Sequence, residues 1–231
     1  MFRRILIVVA VLAVSACAAK VPAPLTAEQR ATYRIAKVAV TFPDDAELWW
    51  GSGDRAIASA AGVDQTDAQS LDSYMEKPEA QRALRDLAVK RLEPAIFGQV
   101  AGALPGKQPA QLSVRVESAW FSSAAQQILV GGNHTLWGAV QLFDLETGEA
   151  LTQPQRMFGL GGGGSGIVGA IIDAARSDPM VRAGQSFGQF TNAWISAEGE
   201  AQLPITPEQN LRPAPLPAPE VEQPTTTAEG S

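Results

Sequence analysis

The first seventeen residues decide where this chain folds. Arg3 and Arg4 form a basic end, residues 5–14 form an apolar run, and Ser15 and Ala16 are small residues of the kind found at a cleavage site. This order is typical of an export signal. The run is too short to cross a bilayer core, which needs about 20 residues. Cys17 follows and is the only cysteine. The exported fold therefore has no intramolecular disulfide and depends on its core.

The four residues Val14-Ser15-Ala16-Cys17 resemble the lipobox of bacterial lipoprotein precursors. The resemblance implies that residues 1–16 are a lipoprotein signal peptide and that the mature chain begins at Cys17. It also implies that Cys17 carries three acyl chains, palmitate among them. The alternative is an ordinary secretory signal cut after a nearby alanine, with Cys17 incidental.

Lipidation at Cys17 would make the membrane a partner of this protein. Each buried methylene contributes about 0.8 kcal/mol, so several acyl chains hold a protein on a bilayer almost permanently. The next residue, Ala18, is not the aspartate that retains many lipoproteins in the inner membrane. We therefore expect a protein of the cell envelope, anchored in the outer membrane and facing the periplasm.

Charge and residue types exclude several classes of function. The formal charge of −6 becomes −8 when Arg3 and Arg4 leave with the signal, which argues against a nucleic-acid partner. His134 is the only histidine, so no Cys/His triad can form. The acidic residues Asp44, Asp45 and Glu47 follow a predicted strand, a position typical of a solvated turn. We predict no catalytic residue, no metal site and no cofactor.

Composition divides the mature chain into three parts. Residues 200–231 are rich in proline and poor in large apolar residues, which predicts a disordered tail. Residues 17–32, with Pro22 and Pro24, predict a lipidated tether. Residues 33–199 remain, the size of one domain.

Hydrophobic periodicity predicts an α+β domain. A very apolar run at 33–42 predicts a central strand, while Trp49-Trp50-Gly51-Ser52-Gly53 indicates a loop. Further strands are predicted at 111–120, 134–144 and 150–158, and helices at 78–100, 166–176 and 179–197. We expect a mostly antiparallel sheet of about four strands with helices packed on one face.

A glycine-rich segment is the most unusual local pattern. Gly161, Gly163 and Gly166 match the G-x-G-x-x-G spacing, but four successive glycines satisfy almost any glycine pattern and no acidic strand end follows. The segment predicts a flexible hinge or tight turn. An alternative is close packing near a membrane or partner through Ile167 and Ile171, although the apolar run is too short to span a bilayer.

The five tryptophans predict both core and contact positions. Trp120, Trp137 and Trp194 fall on apolar stripes and are expected in the core. Trp49 and Trp50 either form an exposed contact for a partner or membrane, or one of them folds back onto the core.

The domain also resembles a family of bacterial lipoproteins. The segment 33–40, and residues 136–144 running into Thr147-Gly148, are similar to outer-membrane lipoproteins of unknown function and, more distantly, to α+β domains of curli-secretion-type lipoproteins. That resemblance implies a non-enzymatic interaction or assembly role with an envelope protein partner. The alternatives are a subunit of a homo-oligomeric export or secretion complex, and an envelope hydrolase.

Overall fold

The computed structural model describes residues 19–64, 66–122, 134–162, 178–203 and 213–219. The elements, in chain order, are β1 (Ala19–Pro22), α1 (Ala27–Thr32), β2 (Tyr33–Thr41), β3 (Glu47–Trp50), α2 (Gly51–Ala60), α3 (Ala68–Met75), α4 (Pro78–Val100), β4 (Gln108–Phe121), β5 (Thr135–Asp144), β6 (Gln155–Leu160), α5 (Pro179–Ile195) and β7 (Glu200–Leu203). Within these ranges, no helix has both the length and the apolar character needed to cross a membrane.

The main sheet has five strands arranged around β4. Its order is β2-β4-β5-β6, and β3 pairs with β4 beyond the end of β2. Strands β2 and β3 run parallel to β4, whereas β4, β5 and β6 form an antiparallel meander. The predicted α+β class is confirmed, with a sheet that is mixed because two strands join β4 in parallel.

Two long helices cover one face of this sheet and enclose the core. Helix α4 packs on β2, and α5 packs on β5, β6 and α4. Helix α4 begins at Pro78, as its sequence predicts. Pro94 predicts a kink or a division into two helices, and the division is wrong, because one helix continues through it to Val100. Gly184 and Gly188 let α5 approach α4 closely, since a Cβ at Gly188 would lie 2.8 Å from the Cβ of Gln99. The buried faces are built from Ala80, Leu84, Ala88, Leu92, Ile96 and Val100 of α4, and Met180, Ala183, Phe187, Trp194 and Ile195 of α5.

Two local predictions were wrong. Strand β2 lies at an edge of the sheet in the described structure, with β4 as its neighbour, and α4 packs on it. The segment predicted as a loop is instead the end of β3 and the start of α2. Gly53 is needed there for space, because a Cβ on it would lie 2.2 Å from the indole of Trp50.

The fold also extends beyond the predicted bounds of 33–199. Strand β1 pairs antiparallel with β7, so the predicted tether and the predicted tail meet in a two-stranded ribbon. Leu216, from the proline-rich region, is buried against Ala139 and Phe143, and its N–H donates to Gln141 Oε1 at 2.9 Å. This contact lies on the sheet face opposite α4 and α5, called the open face below.

Asp144 ties three strands and a turn together. Its Oδ2 accepts hydrogen bonds from the Tyr33 hydroxyl at 3.1 Å and the Gln108 amide at 2.6 Å. Its Oδ1 accepts from the backbone N–H groups of Glu146 at 2.7 Å and Thr147 at 3.2 Å. The Asp-to-Thr-Gly pattern in the sequence is therefore a turn capped by a buried carboxylate.

We expect Asp144→Ala to lower the free energy of unfolding by about 2–4 kcal/mol, because four donors lose a charged acceptor. Urea denaturation would measure the loss. Glu149→Ala is the matched control, since that side chain is exposed in the same turn. Equal midpoints for the two variants would contradict the role given to Asp144.

A second prediction concerns Asp54 in the first turn of α2. Burial raises the pKa of its carboxyl to about 6, with a smaller raising effect from Asp72 and an opposing effect from Arg55. The folded state thus binds a proton more readily than the unfolded state, so stability should rise as pH falls through about 6. Because the group is partly exposed, we expect Asp54→Asn to stabilise by about 1 kcal/mol at pH 7.5, or about 2–4 °C in Tm. The difference should shrink as pH falls below about 6 and vanish near the ordinary value of 3.8, and thermal melts at both ends of this range would test it.

Candidate functional site

A β-bulge in β4 decides which side chains reach the open face. Strand β4 pairs Val116 with Gly138 and Ser118 with Trp137, so Glu117 is the extra residue. Before the bulge, Leu112, Val114 and Val116 face the core; after it, Ala119 and Phe121 do. The bulge therefore moves Ser118 and Trp120 to the open face.

Beyond the bulge, one register row of the sheet carries exposed apolar side chains. The row runs Trp49, Trp120, Thr135, Leu160 across β3, β4, β5 and β6, and is called the tryptophan row below. The rings of Trp49 and Trp120 stack with centroids 5.0 Å apart. Trp49 is 57% exposed, Trp120 42% and Leu160 46%. Grouped in one row, these exposed apolar side chains are a candidate contact surface.

Toward the middle of the sheet lies a cluster of charges. The carboxylate of Glu117 is 2.9 Å from Arg156 Nε and 3.7 Å from Arg115 Nη2. All three side chains are about a quarter exposed, at 25–28%. The bulge places Glu117 between the two guanidinium groups, so its charge is compensated. These three residues are called the ion cluster.

The tryptophan row and the ion cluster border one continuous groove, called the open groove. A depression of about 250 Å³ lies at the row, and a second of about 360 Å³ extends toward Glu117 and Arg156. Both are lined by Glu47, Ser118 and Trp137. A third, of about 340 Å³, continues past Asp45 to Arg115. The described residues contain no group of three His, Cys, Asp or Glu arranged to hold a metal ion.

No protein-family model, curated protein or solved structure matches this chain. The site must therefore be interpreted from its own geometry.

Trp49 and Trp50 are adjacent in the sequence, but their side chains have opposite surroundings. Trp49 is exposed, whereas Trp50 is 3% exposed and belongs to the core. Trp194 is buried as predicted, and Trp137 is half-buried and stacks on Phe158 with centroids 5.1 Å apart. The prediction that Trp120 is a core residue was wrong, because the bulge at Glu117 reverses the alternation.

In the described part of the glycine-rich segment, Gly161 packs closely against the start of α5. Gly161 accepts a hydrogen bond from Arg182 Nε at 2.5 Å and donates its N–H to His134 O at 2.8 Å. A Cβ on Gly161 would lie 2.5 Å from the carbonyl oxygen of Pro179, at the start of α5. The other predicted hinge residues, Gly163, Gly166, Ile167 and Ile171, and the predicted lipidation site Cys17, lie outside the described residues.

Sequence reasoning missed Glu117, Arg156 and Leu160 as parts of a site. A signal for the bulge was present nonetheless. The buried alternation stops at Val116, two polar residues follow, and apolar residues resume one position out of step at Ala119 and Phe121. This one-residue shift in the alternation predicts a bulge, and with it Trp120 on the open face.

If the tryptophan row is a contact surface, its residues should be dispensable for folding. We expect Trp120→Ala to cost about 1 kcal/mol, the value of a stacked aromatic pair. The core variant Trp50→Ala should cost about 3–5 kcal/mol. Guanidinium unfolding of both variants would compare them. A loss for Trp120→Ala as large as that for Trp50→Ala would make the row structural.

Proposed function

We propose that this chain is a non-enzymatic lipoprotein of the cell envelope, anchored at the periplasmic face of the outer membrane. In this proposal the tryptophan row holds another envelope component. The observation that carries it is the position of the row, at the end of the sheet remote from the first described residue, Ala19.

The position of β1 limits the reach of the anchor. Only Ala18 separates Cys17 from Ala19, a stretch of about 7 Å when fully extended. Strand β1 pairs with β7, and Arg30 Nη1 donates to the carbonyl oxygens of Leu25 and Ala197, at 2.9 and 3.0 Å. Helix α1 leads directly into β2. The ribbon thus lies at the end of the sheet where β2 and β4 begin, and lipid on Cys17 would hold this end at the bilayer surface.

The tryptophan row lies at the opposite end. Strand β4 starts at Gln108, paired with Tyr33, and reaches Trp120 twelve residues later, roughly 40 Å along a strand at about 3.3 Å per residue. A domain fixed at its β1 end would present the row away from the bilayer. Because this arrangement turns the row away from the bilayer, its exposed apolar side chains favour a binding partner over membrane contact.

Photo-crosslinking from the row would test the proposal. A photoreactive phenylalanine analogue at Leu160 in the full-length chain should capture an envelope component in cells, and the same analogue at Phe97 should not. Phe97 is the matched control because it is 37% exposed but lies on α4. Cys17→Ala should release the chain from the outer-membrane fraction and reduce capture.

Other outcomes would change the proposal. Crosslinks between copies of this chain would favour the alternative, a subunit of an oligomeric export or secretion complex. Crosslinks to phospholipid would contradict the orientation derived from β1. Cys17→Ala remaining in the membrane fraction would contradict the anchor itself.

A further inference from the structure

The geometry points to a carbohydrate as the ligand of the open groove, with the glycan strands of the cell wall as the source. This inference rests on the proposed function for its source, since it names the chemistry of the component that the tryptophan row would hold. The chemistry of the groove itself does not depend on the anchor.

The lining of the groove alternates tryptophan rings, each stacked on one side by another aromatic ring, with short polar groups. Trp120 and Trp137 stand beside the hydroxyls of Ser118 and Thr135, and the carboxylate of Glu47 lies at the same depression. A pyranose ring has one face of C–H groups, which pack on an aromatic ring, and a rim of hydroxyls, which need donors and acceptors. The tryptophan row and the adjacent pair Ser118 and Trp137 together supply aromatic rings for the C–H face and polar groups for the hydroxyls.

The charges of the groove favour a neutral polyhydroxyl ligand over an anion. Glu117 offsets one of the two positive charges of Arg115 and Arg156, and the carboxylates of Asp45 and Glu47 bring the lining to a net charge of −1. A polyanion would meet these two carboxylates at close range. Sugar hydroxyls can instead bridge carboxylate and guanidinium groups, which are strong acceptors and donors at fixed positions.

The shape of the groove fits a chain of linked rings. From Trp120 to Arg115 three neighbouring depressions follow β4 over four register steps of β5, or roughly 13 Å. The groove accommodates a short stretch of linked rings. Its distance from Ala19 would place it toward a cell-wall layer facing the outer membrane.

Calorimetric titration with N-acetylglucosamine oligomers, and pelleting with purified cell-wall sacculi, would test the inference on the full-length chain in detergent. We expect saturable binding that weakens by about tenfold or more in Trp120→Ala, in line with loss of one stacking face, and also in Glu47→Gln. Phe97→Ala is the matched control and should bind as the wild type does. Circular dichroism melts of each variant would separate lost binding from lost folding.

Three results would overturn the inference: no binding of either probe by the wild type, equal binding by wild type and Trp120→Ala, or displacement from sacculi by choline and not by the sugar oligomers. The last would assign the groove to a quaternary ammonium ligand, which aromatic rings and carboxylates also bind. If the sugars fail while Leu160 still crosslinks to an envelope protein, the proposed function stands and the carbohydrate ligand does not.

Discussion

The hydrogen bonding of β4 is the constraint on which the rest of the structure depends. Along one edge this strand pairs first with β2 and then with β3, and along the other it pairs with β5. One extended segment therefore sets the register of three neighbours. The single extra residue at Glu117 then divides the sheet into two regions, because every side chain beyond it changes face. Strand β4 therefore supplies side chains both to the core and to the open groove.

Helix α4 and strand β4 show how far the fold could be predicted from the sequence. Helix α4 was predictable to the residue, because proline at its first turn and a buried stripe from Ala80 to Val100 agree. Trp120 was not, since alternation assumes an unbroken register and the bulge is a pairing property. Trp49 and Trp50 were ambiguous for a similar reason: adjacent residues of a strand point to opposite faces, and sequence does not say which face is covered.

Pairings between distant segments were the least predictable. Nothing in the composition of residues 19–22 or 200–203 indicates that they form a ribbon, since both stretches lie beside prolines and are short. Their partner is supplied by the end of α5, which brings Glu200 beside Pro22. Proline content predicts an absence of helix more securely than an absence of structure. The part of the site that depends on charges, Glu117 with Arg115 and Arg156, likewise joins residues from two strands that only the sheet brings together.

The burial of Leu216 has a consequence for the way the chain leaves the domain. Strand β7 ends with the ribbon near Ala19, yet Leu216 is fixed beside Gln141, which pairs with Ser113 in the middle of the sheet. Leu216 thus lies on the open face beside Ala139, the register partner of both Arg115 and Arg156. The described segment 213–219 therefore borders the ion cluster, and a ligand bound in the open groove would lie beside this part of the polypeptide. Steric access to this end of the groove would then be set partly by the chain itself.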